Sequence, residues 1–318
     1  PNIAYGRNSE NQYEWGYFLH STPGSVNDSV ISNVLLGKPI FSHDGGLYTQ
    51  PFSLVISNPE GPEESSIHYT TNGSEPTIES PIFPDSIFID KTTIVRAKVF
   101  SPNCHSPLSI THSYIFSERG QNLPYISIVT DSAYLYDDEI GIYAEGTYGT
   151  THPDAESQLP NSYGRYNYTF NWRRPSNFEY YDPKKPNGTS VNQMCEFRIG
   201  GNTSRINPLK SLVLYANKRF GKKRFSYPFW NSKKDIDKFK SLYLRNAGGD
   251  FLPLTYIRDA YAQLSVGSHV DLDWSAYQPA IIYINGEYKG IINLREFSKE
   301  DIVWSNYNKL ENIDFNIN

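Results

Sequence analysis

Cysteine is scarce: Cys104 and Cys195 are the only two in 318 residues. Two thiols so far apart cannot staple a fold of this size, so both read as buried thiols. Zinc spacing is absent, with no Cys-x-x-Cys and no His-Glu-x-x-His among the seven histidines. No run of about 18 apolar residues occurs, so no membrane-spanning helix is expected. Positive charge is not in surplus: 29 Lys and Arg stand against 34 Asp and Glu, a net of -5. Nucleic-acid-binding domains are usually basic, and no nucleic-acid partner is expected. The phosphate-loop pattern Gly-x-x-x-x-Gly-Lys-Ser/Thr is missing too. Met194 is the single methionine and the chain begins at Pro1. It therefore reads as a processed product whose signal peptide is gone, and the polar stretch reaching Asn318 reads as incomplete.

Aromatic residues are abundant: 25 Tyr, 17 Phe and 5 Trp, in a chain 38% hydrophobic and 20% charged. That composition is globular and suits strands and exposed binding surfaces. The length allows about two domains. Residues 1–30 are polar and turn-rich and cannot bury a core alone. Residues 31–118 carry short alternating runs with turn signals between them, the pattern of a β-sandwich. In Pro51–Ser57, Phe52, Leu54 and Ile56 share a face; Ser66–Thr71 leads into the turn pair Asn72-Gly73. In Thr92–Phe100, Val95, Ala97 and Val99 point one way, Arg96 and Lys98 the other. Ile110–Phe116 is the last strand.

Residues 119–318 change character. Strands are predicted at Leu123–Thr130, Asn177–Tyr181, Met194–Ile199 and Leu212–Tyr215, with a long surface loop over 146–168. A helix follows, with Thr255 as N-cap, Ile257, Tyr261 and Leu264 at i, i+4, i+7, and Gly267 after its end. A hairpin then turns at Asn285-Gly286, between Ala280–Ile284 and Tyr288–Glu296. Sheet, helix and hairpin in this order imply an α+β lobe.

Three segments carry candidate chemistry. Arg198-Ile199-Gly200-Gly201-Asn202-Thr203-Ser204-Arg205, followed by Lys210, offers two glycines, hydroxyl and guanidinium donors, and an ammonium at the start of the next strand. Such a turn either cradles phosphates on its amides or is a plain tight turn beside a surface lysine. Leu244-Arg245-Asn246-Ala247-Gly248-Gly249-Asp250 leads into the helix with Arg258 and Asp259, whose charges either serve a site or pair to fix the helix. Asn293-Leu294-Arg295-Glu296 ends the hairpin with a carboxylate that is either a cleft group or an ordinary terminus. Lys218–Phe225 is a basic turn with aromatics, read as a solvated loop or as a holder of acidic protein or polysaccharide. Asp137-Asp138-Glu139 lacks EF-hand spacing. Asn27, Asn72, Asn167, Asn187 and Asn202 head Asn-x-Ser/Thr triplets, which an Asn-rich chain produces by chance.

Three resemblances follow from these residues. Tyr69–Thr77 and Thr92–Val99 resemble the small immunoglobulin-like domain at the C-terminus of chitobiase and β-hexosaminidase relatives, a spacer or accessory module. Tyr5-Gly6-Arg7, Trp15, Thr22-Pro23-Gly24 and Asn27 resemble the end of a lamin-tail-type sandwich. Gly200–Arg205 with Pro208–Leu212, Leu244–Asn246 with Asp250 and Arg258–Ala260, and Tyr283–Gly290 with Leu294–Glu296 together resemble the CotH kinase-like family over about 120–318.

The implied fold is mainly β plus α+β: an immunoglobulin-like β-sandwich, then a kinase-like N-terminal lobe in which a helix packs on an antiparallel sheet. The implied domains are 1–30, 31–118 and 119–318. The implied function is ATP-dependent Ser/Thr phosphorylation by a secreted or cell-surface bacterial protein, with ATP and Mg²⁺ as cofactors and a protein substrate. Gly201, Asn202, Ser204 and Arg205 would lie over the nucleotide phosphates, with Lys210 as the phosphate-contacting lysine. Arg258 would lie on the neighbouring helix and Glu296 near the adenine. Metal-holding carboxylates are expected from a second lobe; the aspartates that follow the hinge are Asp301 and Asp314, neither in a catalytic motif. A complete active site within this stretch is therefore not expected. The alternative is a non-catalytic adhesion or carbohydrate-associated module with a surface glycan as partner.

Overall fold

A computed structural model describes residues 4–8, 13–18, 22, 24–26, 35–59, 61–102, 104, 108–117, 122–185, 190–250, 254–267, 269–270, 274–297 and 300–307. Asn27 and Asn187, the Gly188-Thr189 that follows it, and Asp314 lie outside the described residues. The chain divides into two compact units, Pro1–Ser117 and Glu118–Asn318. Both are rich in strand.

In the first unit, a hairpin pairs Ala4–Arg7 with Trp15–Phe18. Beyond it, a four-stranded sheet runs in the order Gly46–Leu47, Ile110–Ile115, Thr93–Phe100, Ser66–Thr70. Ile40–Phe41 pairs with Ile56–Ser57, and Phe52–Leu54 with Ile87–Ile89. The expected alternation is present: Leu54, Ile56, Val95, Ala97 and Tyr114 share one core. Arg96 faces away from that core and is buried all the same. Its guanidinium donates to Gly73 O (2.7 Å) and Ser109 Oγ (3.1 Å) and pairs with Glu75. A buried guanidinium is tolerable only when its donors are met in this way.

The second unit is organised by seven strands: β1 (Tyr125–Val129), β2 (Arg174–Tyr181), β3 (Val191–Ile199), β4 (Leu212–Tyr215), β5 (Ser241–Arg245), β6 (Tyr277–Ile284) and β7 (Glu287–Glu296). Their order is β1-β2-β3-β4-β5-β7-β6, antiparallel throughout, and the parallel pair β1–β6 closes the sheet into a barrel. The expectation of an antiparallel sheet holds at the level of pairing, but the edges meet. Closure satisfies the edge amides that an open sheet would expose. Alternate residues fill the interior, among them Ile126, Phe178, Phe197, Leu214, Leu244, Ile282 and Leu294. The β6–β7 turn is the expected Asn285-Gly286, both at positive φ (49° and 79°), as a tight hairpin requires.

Two expectations change. Residues 146–168 are not simply a surface loop. They form short helical turns, and Leu159, Asn167 and Tyr168 are buried, Tyr168 within the barrel's core cluster. Helix α1 spans Arg258–Gly267 and includes Gly267. Ile257 and Tyr261 are exposed, and of its residues only Ala260 is buried. Thr255 is not its cap. Asp250 accepts from the Arg258 amide (2.8 Å) and from the Thr255 hydroxyl (2.6 Å), so a carboxylate fixes the helix start. Helix α2, Glu300–Asn306, follows β7.

Candidate functional site

The first candidate segment leaves β3 as a closed turn. Gly200 N–H donates to Ser211 O at 2.8 Å, joining the loop's two ends. A Cβ on Gly200 would come within 2.7 Å of the Tyr243 ring, and Gly201 holds φ +84°. Only glycine suits both positions. Thr203–Ile206 forms a 3-10 turn, while Gly201 and Asn202 lie exposed.

Arg205 and Lys210 do not project outward. Arg205 is 1% exposed. It donates to Gly201 O (2.7 Å), Tyr168 O (3.0 Å), Phe170 O (3.2 Å) and Asn171 Oδ1 (2.6 Å). Burial, with help from Arg198, pulls its guanidinium down to about 10. Lys210 donates from Nζ to Arg205 O (2.7 Å) and Asn207 O (3.3 Å), and Nζ lies 3.9 Å from the Tyr168 ring centroid. Burial lowers its ammonium to about 8, against the opposing charge of Glu145. In this arrangement both cations bind the chain's own carbonyls and hold the turn in shape.

The second segment meets the first through Asn246. Its buried side chain accepts from Ser211 Oγ (2.7 Å) and Gly248 N (3.1 Å) and donates to Leu209 O (2.7 Å) and Ser204 O (3.2 Å). Ala247 and Gly248 follow at positive φ (64° and 63°). The Thr255 hydroxyl foremost, with the Arg258 amide and charge behind it, holds the Asp250 carboxyl below the usual range against the effect of burial. Arg258 itself points outward, 69% exposed along its side chain, 3.5 Å from Asp250 Oδ1.

The third segment joins the second through α1. Arg295 Nη1 donates to Asp259 Oδ2 at 2.7 Å, and Arg245 Nε stands 3.4 Å from the same oxygen. The helix carboxylate thus finds two strand arginines. Glu296 is buried among its own partners: Lys233 Nζ (2.6 Å), Asn306 Nδ2 (2.7 Å) and the Ala276 amide (2.9 Å). The three segments chosen from the sequence therefore converge, two through Asn246 and two through Asp259.

Their common surface is the barrel's outer face. Register places Arg198 opposite Val213, Val213 opposite Tyr243, and Tyr243 opposite Arg295, in one row across β3, β4, β5 and β7. Phe297, just past β7, packs edge-on against Tyr215 (6.2 Å) and Tyr243 (5.6 Å). It lines two hollows. The smaller, about 170 Å³, includes Arg245, Asp259, Gln263 and Arg295. The larger, about 600 Å³, includes Arg173, Arg198, Lys223, Arg224 and Lys240 with the single carboxylate Glu196. Glu196 is already paired, with Arg219 at 2.9 Å and Arg173 at 3.5 Å. The larger hollow is thus strongly cationic. Sequence reasoning missed Arg173, Lys240 and Phe297. The available signal was polar residues alternating with apolar ones, as in Glu196-Phe197-Arg198, which marks an outward row on a buried strand.

Residues 197–317 match the family model described as CotH kinase protein, and residues 43–111 match the one described as chitobiase/beta-hexosaminidase C-terminal domain. The two matches bear out the CotH-like and chitobiase-like resemblances read from the sequence, the first over the part of the second unit that carries all three segments. No curated protein matches the chain significantly.

Proposed function

We propose that the second unit is the nucleotide-holding lobe of a secreted or cell-surface CotH-like kinase that uses ATP to phosphorylate Ser or Thr of a protein. In that reaction a substrate hydroxyl oxygen bonds to the γ-phosphorus, the bond to the bridging oxygen of ADP breaks, and the hydroxyl proton leaves to a base. The observation that carries the reading is the cationic hollow of about 600 Å³ on the outer face beside Phe297. Its size suits a nucleotide. Arg198, Lys223, Arg224 and Lys240 supply charge for a polyphosphate, and Phe297 supplies a ring edge for the base.

In this reading the Gly201 and Asn202 amides and the Ser204 hydroxyl, which lie outside the lining of the hollow, offer an outer rim for phosphate oxygens. Arg205 and Lys210 act as positioning residues that hold that rim. Arg258 anchors the helix start, and Glu296 fixes the end of β7 that presents Phe297. Bound Mg²⁺ would neutralise phosphate charge. Among the described residues no group of three or more His, Cys, Asp or Glu is placed to hold a metal ion.

Calorimetry with ATP tests the site. Wild type is expected to bind, Arg198→Ala/Lys240→Ala to lose about tenfold or more in affinity, and Lys210→Ala to lose much less. Equal affinity of wild type and the double variant, both folded by circular dichroism, would overturn the assignment.

A second reading rests on the first unit. Tyr5 and Trp15 are 59% and 46% exposed on the hairpin, their rings stacked at 5.8 Å, with Tyr17 4.9 Å from Tyr5. Such a strip suits the apolar face of a sugar. Glycan-array binding lost in Trp15→Ala would favour an adhesion role; a silent array would remove it.

A further inference from the structure

Residues 217–240 concentrate charge in a way that composition hides. The segment holds nine Lys and Arg against two Asp, a net of +7, in a chain whose net is -5. Nearly a third of the 29 cations sit in these 24 residues.

The segment is firmly anchored, which a solvated basic loop would not be. Phe225 pairs in register with Phe239 on a short two-stranded ribbon. Phe225, Phe229, Trp230 and Phe239 are buried in the barrel's core cluster. Trp230 Nε1 donates to Leu294 O on β7 at 3.1 Å, and Lys233 reaches Glu296. One side of the segment is therefore aromatic and inside. The other carries the charge: Lys218, Lys222 and Lys238 are exposed. Lys223, Arg224 and Lys240 continue that surface into the larger hollow. Within the hollow the one carboxylate, Glu196, pairs with Arg219 of this segment and with Arg173, and leaves Lys218, Lys222 and Lys238 outside that pairing.

We propose that this platform docks an acidic segment of the protein substrate, laying a neighbouring Ser or Thr at the mouth of the hollow. The inference deepens the kinase reading and rests on it for the word substrate; the docking itself does not. Charge complementarity selects the occupant. Flexible, exposed lysines suit a flexible chain bearing several carboxylates. The exposed part of the platform offers no aromatic pair for a nucleotide base or a sugar ring: Phe220 is half-buried beneath the Arg219 guanidinium, 4.5 Å from its ring centroid.

The test uses a short fluorescent peptide with a central Ser flanked by Asp and Glu, and its counterpart with Asn and Gln. The acidic peptide is expected to bind about tenfold more tightly, and to lose that advantage in Lys218→Glu/Lys222→Glu/Lys238→Glu and at about 0.5 M salt. None of these three lysines lines the hollow, so ATP affinity of the same variant is expected to stay near wild type. Equal binding of both peptides, or an unaffected triple variant, overturns the docking proposal. So does a heparin oligosaccharide that displaces the acidic peptide while binding far more tightly, which would make the platform a glycan site. Loss of the kinase reading shows separately, as wild type that binds the peptide but not ATP.

Discussion

Asp259 Oδ2 on α1 accepts a 2.7 Å hydrogen bond from Arg295 Nη1 on β7, and this contact ties the helix to the barrel's outer face. Few other groups could do so, since Ala260 is the buried residue of that helix. The polar row on the sheet and the helix position are thus one arrangement. Moving α1 would release two arginines onto the face where a polyphosphate is proposed to lie.

Breaking that tie has a defined pH signature. Burial alone would raise the Asp259 carboxyl, but Arg295 and Arg245 override it and hold it below the usual 3.8. A carboxyl depressed in the fold contributes stability that is present above its unfolded value and lost as pH falls through the folded one. Asp259→Asn is expected to flatten stability against pH below about 4. At neutral pH the cost should be only about 1 kcal/mol, because the side chain is over a third exposed and screened by solvent. Urea titrations at several pH values check this; an unchanged acid limb would mean the pair contributes nothing.

Asn246 makes a sharper case. Four partners from two loops meet on one buried amide. Asn246→Ala leaves several of them unmet and is expected to cost about 3 kcal/mol. Asn246→Asp should be no better, since an oxygen would replace the amide that donates to Ser204 O and Leu209 O. Thermal unfolding of both variants is the measurement. Full stability in Asn246→Asp would show that those carbonyls need no donor.

Lys210 should betray itself at alkaline pH. Its ammonium is lowered by burial from 10.5 to about 8. A base depressed in the fold gives stability that is complete above the unfolded value and lost as pH falls through the folded one. Wild type is therefore expected to gain stability relative to Lys210→Met as pH rises from about 8 to 10.5. Denaturant midpoints across that range decide it. Parallel curves for the two proteins would mean that Lys210 keeps its ordinary affinity for a proton.

Local pattern made much of this fold legible. Alternation in Thr92–Phe100 and the short apolar run Leu212–Tyr215 marked strands, and Asn285-Gly286 marked the hairpin. Closure of the barrel was not legible, because the β1–β6 pair joins residues some 150 positions apart and leaves no local trace. Nor was the cap on α1. Asp250 sits eight residues before Arg258, with a loop between, so Thr255 occupied the place where a cap is normally sought. The three candidate segments were found, but the sequence could not tell that Arg205 and Lys210 turn inward. Residue type names a donor, and only packing decides what it donates to.

Lys233 and Glu296 join the basic platform to the end of β7. Lys233 Nζ donates to Glu296 Oε2 (2.6 Å), Trp274 O (2.7 Å) and Asn306 Oδ1 (2.8 Å). Both side chains are almost wholly buried, 11% and 2% exposed. Removing one partner leaves a buried charge unmet, which costs about 3–5 kcal/mol, whereas replacing both with apolar groups costs far less. Lys233→Met and Glu296→Leu are each expected to be strongly destabilised, and the double variant to recover much of the loss. A thermal-unfolding double-mutant cycle reads the coupling directly. Additive losses would show that the two charges do not depend on each other.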